Sequence, residues 1–270
     1  MDIEWKAAYA YMVFGSLMLV IYLFTHIYEL SVVAEIIFIP MYFFHSIKHI
    51  GKKHTAIFFG VSYLISLTIE IIGVHTGIPF GKYSYSQILG PEILRVPVAV
   101  PFLWSSLLYF SSLATRSRIF IPAILLLALD MSFDPRFSMH LWHWAIPGVY
   151  FGVPLTNFIG WLVTSVFIYT VLYFFIKNKN SFDINGLIFY NVLGFFQCIE
   201  DIVVGLYIPA IISSFIFAAI FITGYYTWNN KGNNKTSSES VNFHIIKESL
   251  PNFLFCLNLS SNNTVMLLFV

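Results

Sequence analysis

Charge is what this sequence has least of. Asp, Glu, Lys and Arg together make up 10% of its 270 residues, against about 25% in an ordinary soluble domain. Hydrophobic residues reach 58%. So little charge cannot clothe a soluble surface, and the chain belongs in a bilayer. A net charge of +1 offers no basic face to nucleic acid. Cysteine is nearly absent: Cys198 and Cys256 give neither a disulfide framework nor a zinc spacing. No GxSxG elbow, P-loop or dinucleotide fingerprint occurs, so no cofactor is expected. The acid-rich DDXXD pattern is also missing, which disfavours a diphosphate substrate and favours an uncharged one. His140 and His143 lie three apart with Asp134 near them and His75 elsewhere, but no HEXXH-type spacing is present and no metal is expected. Histidines beside tryptophans read more simply as interfacial groups, and His45, His49 and His54 read as solvated or head-group contacts. No cleavable signal peptide is expected, because Met1–Lys6 mixes acids with a base and no small-residue cleavage site follows the first apolar run. No internal repeat is evident.

What the chain does have is long apolar runs. Eight candidate spans follow one another, roughly Ala7–Phe24, Leu30–Phe44, Thr55–Gly73, Pro97–Ala114, Ile119–Phe133, Phe158–Ile176, Leu187–Tyr207 and Pro209–Trp228. About 20 apolar residues cross a bilayer as a helix. The expected fold is therefore all-α, a polytopic transmembrane helix bundle of about eight spans over residues 1–228. Residues 229–270 open with the polar run NNKGNNKTSSES and are expected to form a disordered cytoplasmic tail. The basic residues orient the bundle. Eleven fall on one side under this count: Lys6, Lys48, Lys52, Lys53, Arg116, Arg118, Lys177, Lys179, Lys231, Lys235 and Lys247. Three fall on the other: Lys82, Arg95 and Arg136. An integral protein of the cell membrane with both termini cytoplasmic is expected.

In that orientation the acids gather at one depth. Glu29 and Glu35 lie near the outer end of the second span, Glu70 near that of the third, Asp130 and Asp134 at the end of the fifth, and Glu200 and Asp201 in the outer half of the seventh. Acids within a membrane are expensive, usually face a cavity, and suggest function. Burial of a carboxyl also disfavours its charged form. Plainer readings exist for several. Glu29 suits an interface. Asp134 could cap a loop or pair with Arg136. Glu200 and Asp201 diverge by about 100° on a helix, so at most one would face a shared cavity.

Asp130–Trp161 is the organising stretch. Two carboxylates one turn apart end a greasy helix, which Pro135 is expected to stop. Trp142, Trp144, Tyr150 and Trp161 follow closely, and aromatic faces there could steady a developing cation. Asn157, at the mouth of the sixth span, reads either as an N-cap or as an amide that holds a water or orients a carboxylate. Tyr83 and Tyr85, in the loop after Glu70, add hydroxyls. The candidate catalytic residues are Asp130, Asp134, Glu70 and Glu35. Trp142, Trp144, Tyr150, Asn157, Trp161, Tyr83 and Tyr85 are the candidate substrate-binding residues.

The segments HTGIPFGKYSYS, VPVAVPFLW, the LD(x)3DP step at Leu129–Pro135 and WHWAIPGVYFGVPLTNFIGW resemble the carotenoid-biosynthesis membrane proteins of the CruF type, the carotenoid hydratases. The resemblance covers Glu70 to Trp161 directly and the other spans by hydropathy. It implies a hydro-lyase that adds water to the terminal isopropylidene double bond of an acyclic carotenoid end, giving a tertiary alcohol. A hydrophobic carotenoid, water and the lipid bilayer are the implied partners. A cofactor-free isoprenoid or carotenoid cyclase or isomerase would use a similar lining while excluding water. A non-catalytic carotenoid-binding or transport protein is the third reading.

Overall fold

A computed structural model describes residues 2–25, 27, 30, 33, 37–176 and 182–233. Glu29 and Glu35 lie outside the described residues, as do Lys177, Lys179 and the tail beyond Asn233. Eight α-helices occur among the described residues: α1 (Ile3–Thr25), α2 (Phe38–His49), α3 (Lys52–Thr76), α4 (Ala99–Leu113), α5 (Phe120–Phe137), α6 (Leu155–Phe175), α7 (Ile184–Val203) and α8 (Tyr207–Asn233). The architecture is the all-α, membrane-type bundle that the apolar runs call for. Among the described residues, four helices are long and apolar enough to cross a membrane: Lys52–Thr76, Leu155–Phe175, Ile184–Val203 and Tyr207–Asn229. Ala99–Leu113 is apolar but shorter. Residues Met1–Tyr225 form one compact unit; Tyr226–Val270 form another, described only as far as the end of α8.

Helix α3 packs against α4 and α6, and α5 packs against α4, α6 and α7. The interior is heavily aromatic: Trp5, Tyr42, Trp104, Tyr109, Phe110, Phe189, Tyr190 and Phe217 are buried. Leu64 and Ile72 on α3, Val163 and Phe167 on α6, and Ile211 and Phe215 on α8 are exposed. Apolar side chains facing outward suit hydrocarbon and would be unusual on a soluble surface of this extent.

Two expectations are corrected here. Pro135 does not stop its helix, because α5 runs on to Phe137. Proline lacks an N–H, so its place in the ladder leaves the Met131 carbonyl, four residues back, without its helical donor. The Tyr150 hydroxyl donates to that carbonyl instead, at 3.2 Å. The turn beyond is held by Ser138 N–H to Asp134 O at 2.9 Å. His45 is the second correction. It is fully buried rather than solvated, shares a hydrogen bond with Tyr109 at 2.9 Å, and packs edge-on against Trp5.

The loops over one end of the bundle contain strands that the hydropathy pattern does not announce. β1 (Tyr83–Tyr85) pairs antiparallel with β4 (Trp142–Trp144), setting Tyr83 opposite Trp144 and Tyr85 opposite Trp142. A second short pair joins β2 (Glu92–Ile93) and β3 (Val96–Pro97). Helix α3 ends at Gly77, whose left-handed φ of 82° lets its N–H close onto Gly73 O. The chain then turns back so that β1 lies over the end of α3.

Candidate active site

Glu70 accepts three side-chain hydrogen bonds. It sits in the last two turns of α3 and is 4% exposed. Residues two apart on a strand share a face, so Tyr83 and Tyr85 both turn toward it. Both phenols donate to Oε2, Tyr85 at 2.7 Å. The Trp104 indole N–H of α4 donates to Oε1 at 2.9 Å. Burial, then the adjacent Glu70, pushes both phenol pKa values well up, so these loop hydroxyls remain protonated donors at any ordinary pH. Gly73 makes the approach possible: a Cβ there would lie 2.8 Å from the Tyr83 hydroxyl oxygen.

The two aspartates meet a different setting. Asp130 and Asp134 are one turn apart on α5 and face the same way. Both are buried, at 0% and 1% exposure. The Asn157 amide donates to both, at 2.5 Å to Asp134 Oδ2 and 3.2 Å to Asp130 Oδ2. Pro154 occupies the N-cap position of α6, which overturns the capping reading of Asn157. Its amide clamps the aspartate pair. We expect Asn157→Ala to leave Asp134 Oδ2 short of a donor and lower stability by about 1–3 kcal/mol, measured as earlier loss of the monodisperse detergent-solubilised species on heating.

Glu70 and Asp134 line one cavity. Its other walls include Phe80, Tyr83, Tyr85, Trp104, Asn157 and Trp161, with Trp142, Trp144, Val100, Leu103 and Phe133, and about 430 Å³ of space not filled by protein atoms, part of it open to solvent, lies between them. Asp130 is not among the lining residues and lies behind Asp134. Trp104 and Trp161 stack at 3.8 Å with an interplanar angle of 11°, presenting a broad aromatic wall. The Trp144 indole N–H donates to Phe80 O at 3.0 Å, which ties β4 to the loop after α3. A larger cavity, about 590 Å³, is lined by Ile50, Tyr109, Ser112, Arg118, Tyr169, Tyr173 and others, but by no carboxylate.

The remaining candidates fall elsewhere. Tyr150 bonds to the Met131 carbonyl rather than lining the cavity. Arg136 pairs with Glu200 and donates to Gln197 at 2.5 Å. Asp201 is buried away from the cavity. His75, His140 and His143 are exposed, and no group of three metal-binding side chains occurs among the described residues. Trp104 is the site residue that the sequence reading passed over. Its signal was an indole in the middle of an apolar run, where a buried N–H must find an acceptor.

The model of the carotenoid biosynthesis protein family matches residues 8–220. The chain belongs to that family. Both cavity acids, the aspartate pair and the four-aromatic strand pair lie inside the matched region. Among the relatives of this carotenoid biosynthesis protein is bisanhydrobacterioruberin hydratase of Haloarcula japonica, 31% identical over 114 residues. The alignment covers 37% of this chain and 39% of the hydratase. The chain thus matches well under two thirds of that relative's length. No solved structure matches the chain.

Proposed function

We propose that this family member is a carotenoid hydratase that adds water across the terminal isopropylidene double bond of an acyclic carotenoid. The carrying observation is that one aromatic cavity holds two kinds of acid. Glu70 accepts three hydrogen bonds, the pattern of an ionised carboxylate. Asp134 sits with Asp130 on the same Asn157 amide, and two like charges held that close and buried favour one retained proton. Hydration of an alkene uses that combination, an acid for one carbon and a base for the water that adds to the other.

In this reading the π pair of the alkene takes the proton of Asp134, forming a C–H bond and a tertiary cation. The faces of Trp104 and Trp161 and the carboxylate of Glu70 stabilise the cation. A water oxygen bonds to the cationic carbon and gives up one proton to Glu70. The product is a tertiary alcohol, and the sum is the addition of one water. Polar groups at one cavity and apolar lipid-facing helices elsewhere suit a substrate whose reacting end is sequestered while its long polyene stays in hydrocarbon. Expression in a lycopene-making host, followed by mass spectrometry of the pigments, tests the reading. A gain of one or two waters supports it. An unchanged mass with an altered absorption spectrum supports isomerisation or cyclisation, and unaltered pigment supports binding alone.

The bundle is further proposed to cross the membrane eight times, with both termini cytoplasmic and the cavity near the outer face. The lysines and arginines at Lys48, Lys52, Lys53, Arg116 and Arg118 support this orientation. Reporter fusions after Lys53 and after Lys179 are expected to report cytoplasm, and one within Tyr83–Gly90 the outside. The opposite pattern would invert the bundle.

A further inference from the structure

Behind the aspartate pair lies a second buried polar cluster that the hydration step does not use. Asp201 is in the last turn of α7, fully buried, and no protein donor completes a hydrogen bond to either of its carboxyl oxygens. The same holds for Asp130 Oδ1, Ser132 Oγ and Ser213 Oγ. The Arg136 guanidinium and the Ser132 hydroxyl both lie close to Asp201. Tyr150 is within electrostatic reach of both Asp201 and Asp130, and its hydroxyl approaches Ser213. Tyr150 is fixed there by its bond to the Met131 carbonyl, the atom that Pro135 leaves without a helical donor.

Buried polar atoms left without partners are costly, about 1–3 kcal/mol each and more when charged. Natural interiors meet that cost with ordered water wherever the groups are polar and close. Five such atoms on three helices, together with a phenol, are more than packing requires. The position of Asp201 adds a route. Its backbone carbonyl accepts from Leu206 N–H at 2.8 Å, which places it against the α7–α8 turn. Arg136 and Glu200, at 8% and 7% exposure, mark the nearby edge of the buried zone.

We propose that Asp201, with Tyr150 and Ser132, holds water in a proton relay that recharges the Asp130–Asp134 pair from the α7–α8 end of the bundle. The relay rests on the hydratase reading, and the proton balance of that reading calls for it. Each turnover leaves the aspartate pair one proton short and Glu70 one proton ahead. Glu70 releases its proton to water on the cavity side. The pair regains one through Asp201 on the far side. Asp201 is a relay residue, not a catalytic one, because it touches neither the cavity nor the substrate.

The relay acts between turnovers, so its removal separates the first turnover from the rest. The test uses purified full-length protein in lipid nanodiscs with an acyclic carotenoid, comparing wild type with Asp201→Asn. With protein in excess, the first turnover is expected to stay within about twofold of wild type. With carotenoid in excess, steady-state turnover is expected to fall at least about tenfold and to recover as imidazole is added. A merely structural role would slow both regimes alike and show no recovery, which would overturn the relay. Unchanged turnover in both regimes would overturn it too. If the amide variant is not recovered folded, Asp201→Ser is read in the same assay, with the same two results deciding. Absence of hydrated product from wild type itself would instead overturn the hydratase reading, so the two failures are distinguishable.

Discussion

Asp134→Asn is expected to lower hydration by at least about 10²-fold, the range typical of a lost general acid, with the protein still folded and still holding pigment. The side chain lines the cavity, whereas Asp130 lies behind it, so Asp134 presents the shared proton to substrate. The amide keeps the size and keeps an acceptor for Asn157, whose donor lies 2.5 Å away. What it removes is the transferable proton. Asp130→Asn is expected to be milder, because one carboxyl then still faces the cavity and the new amide can hydrogen-bond to it. Turnover by purified protein, with bound carotenoid measured by absorbance, checks both. A rate for Asp134→Asn equal to wild type would remove that residue from the chemistry.

Glu70→Gln is expected to be damaging in two ways. A carboxylate accepts at both oxygens, and here Oε2 takes two phenols and Oε1 an indole N–H. An amide would turn its NH2 toward one of these donors. The indole can only donate, so either it faces another donor or the phenols must rotate to accept. One buried donor left unmatched costs about 1–3 kcal/mol. The base that takes the proton from water is also gone, so turnover is expected to fall at least about 10²-fold. Tyr83→Phe separates the two effects: it removes one donor while the carboxylate stays, and it is expected to keep most of the activity. Thermal stability and turnover measured on the same preparations distinguish the outcomes.

The helices were legible in the sequence because a bilayer leaves little choice. Long apolar runs with few charges form spanning helices, and α3, α6, α7 and α8 lie where hydropathy puts them. The pairing of Asp130 with Asp134 was legible from their four-residue spacing. The lid over the cavity was not. β1 and β4 are three residues each and 57 positions apart in the chain where Tyr85 pairs with Trp142, and nothing local in either specifies the other. Asn157 had two equally ordinary readings, and only the position of Pro154 at the cap separates them. Pro135 misled for a physical reason: the helix-breaking cost is offset by Tyr150, fifteen residues downstream, whose hydroxyl replaces the missing donor. Glu200 and Asp201 diverge as neighbours on a helix must: Glu200 pairs with Arg136 at the edge of the buried zone, and Asp201 is fully buried.

The central claim is that a carboxyl acid of the protein protonates the carotenoid end before water adds. Mass spectrometry of the product formed by purified protein in D2O tests it most directly. The account predicts one non-exchangeable deuterium on carbon for every water added, with the label lost together with the product in Asp134→Asn. Hydrated product carrying no deuterium on carbon, or fully labelled product at the wild-type rate from Asp134→Asn, would contradict it.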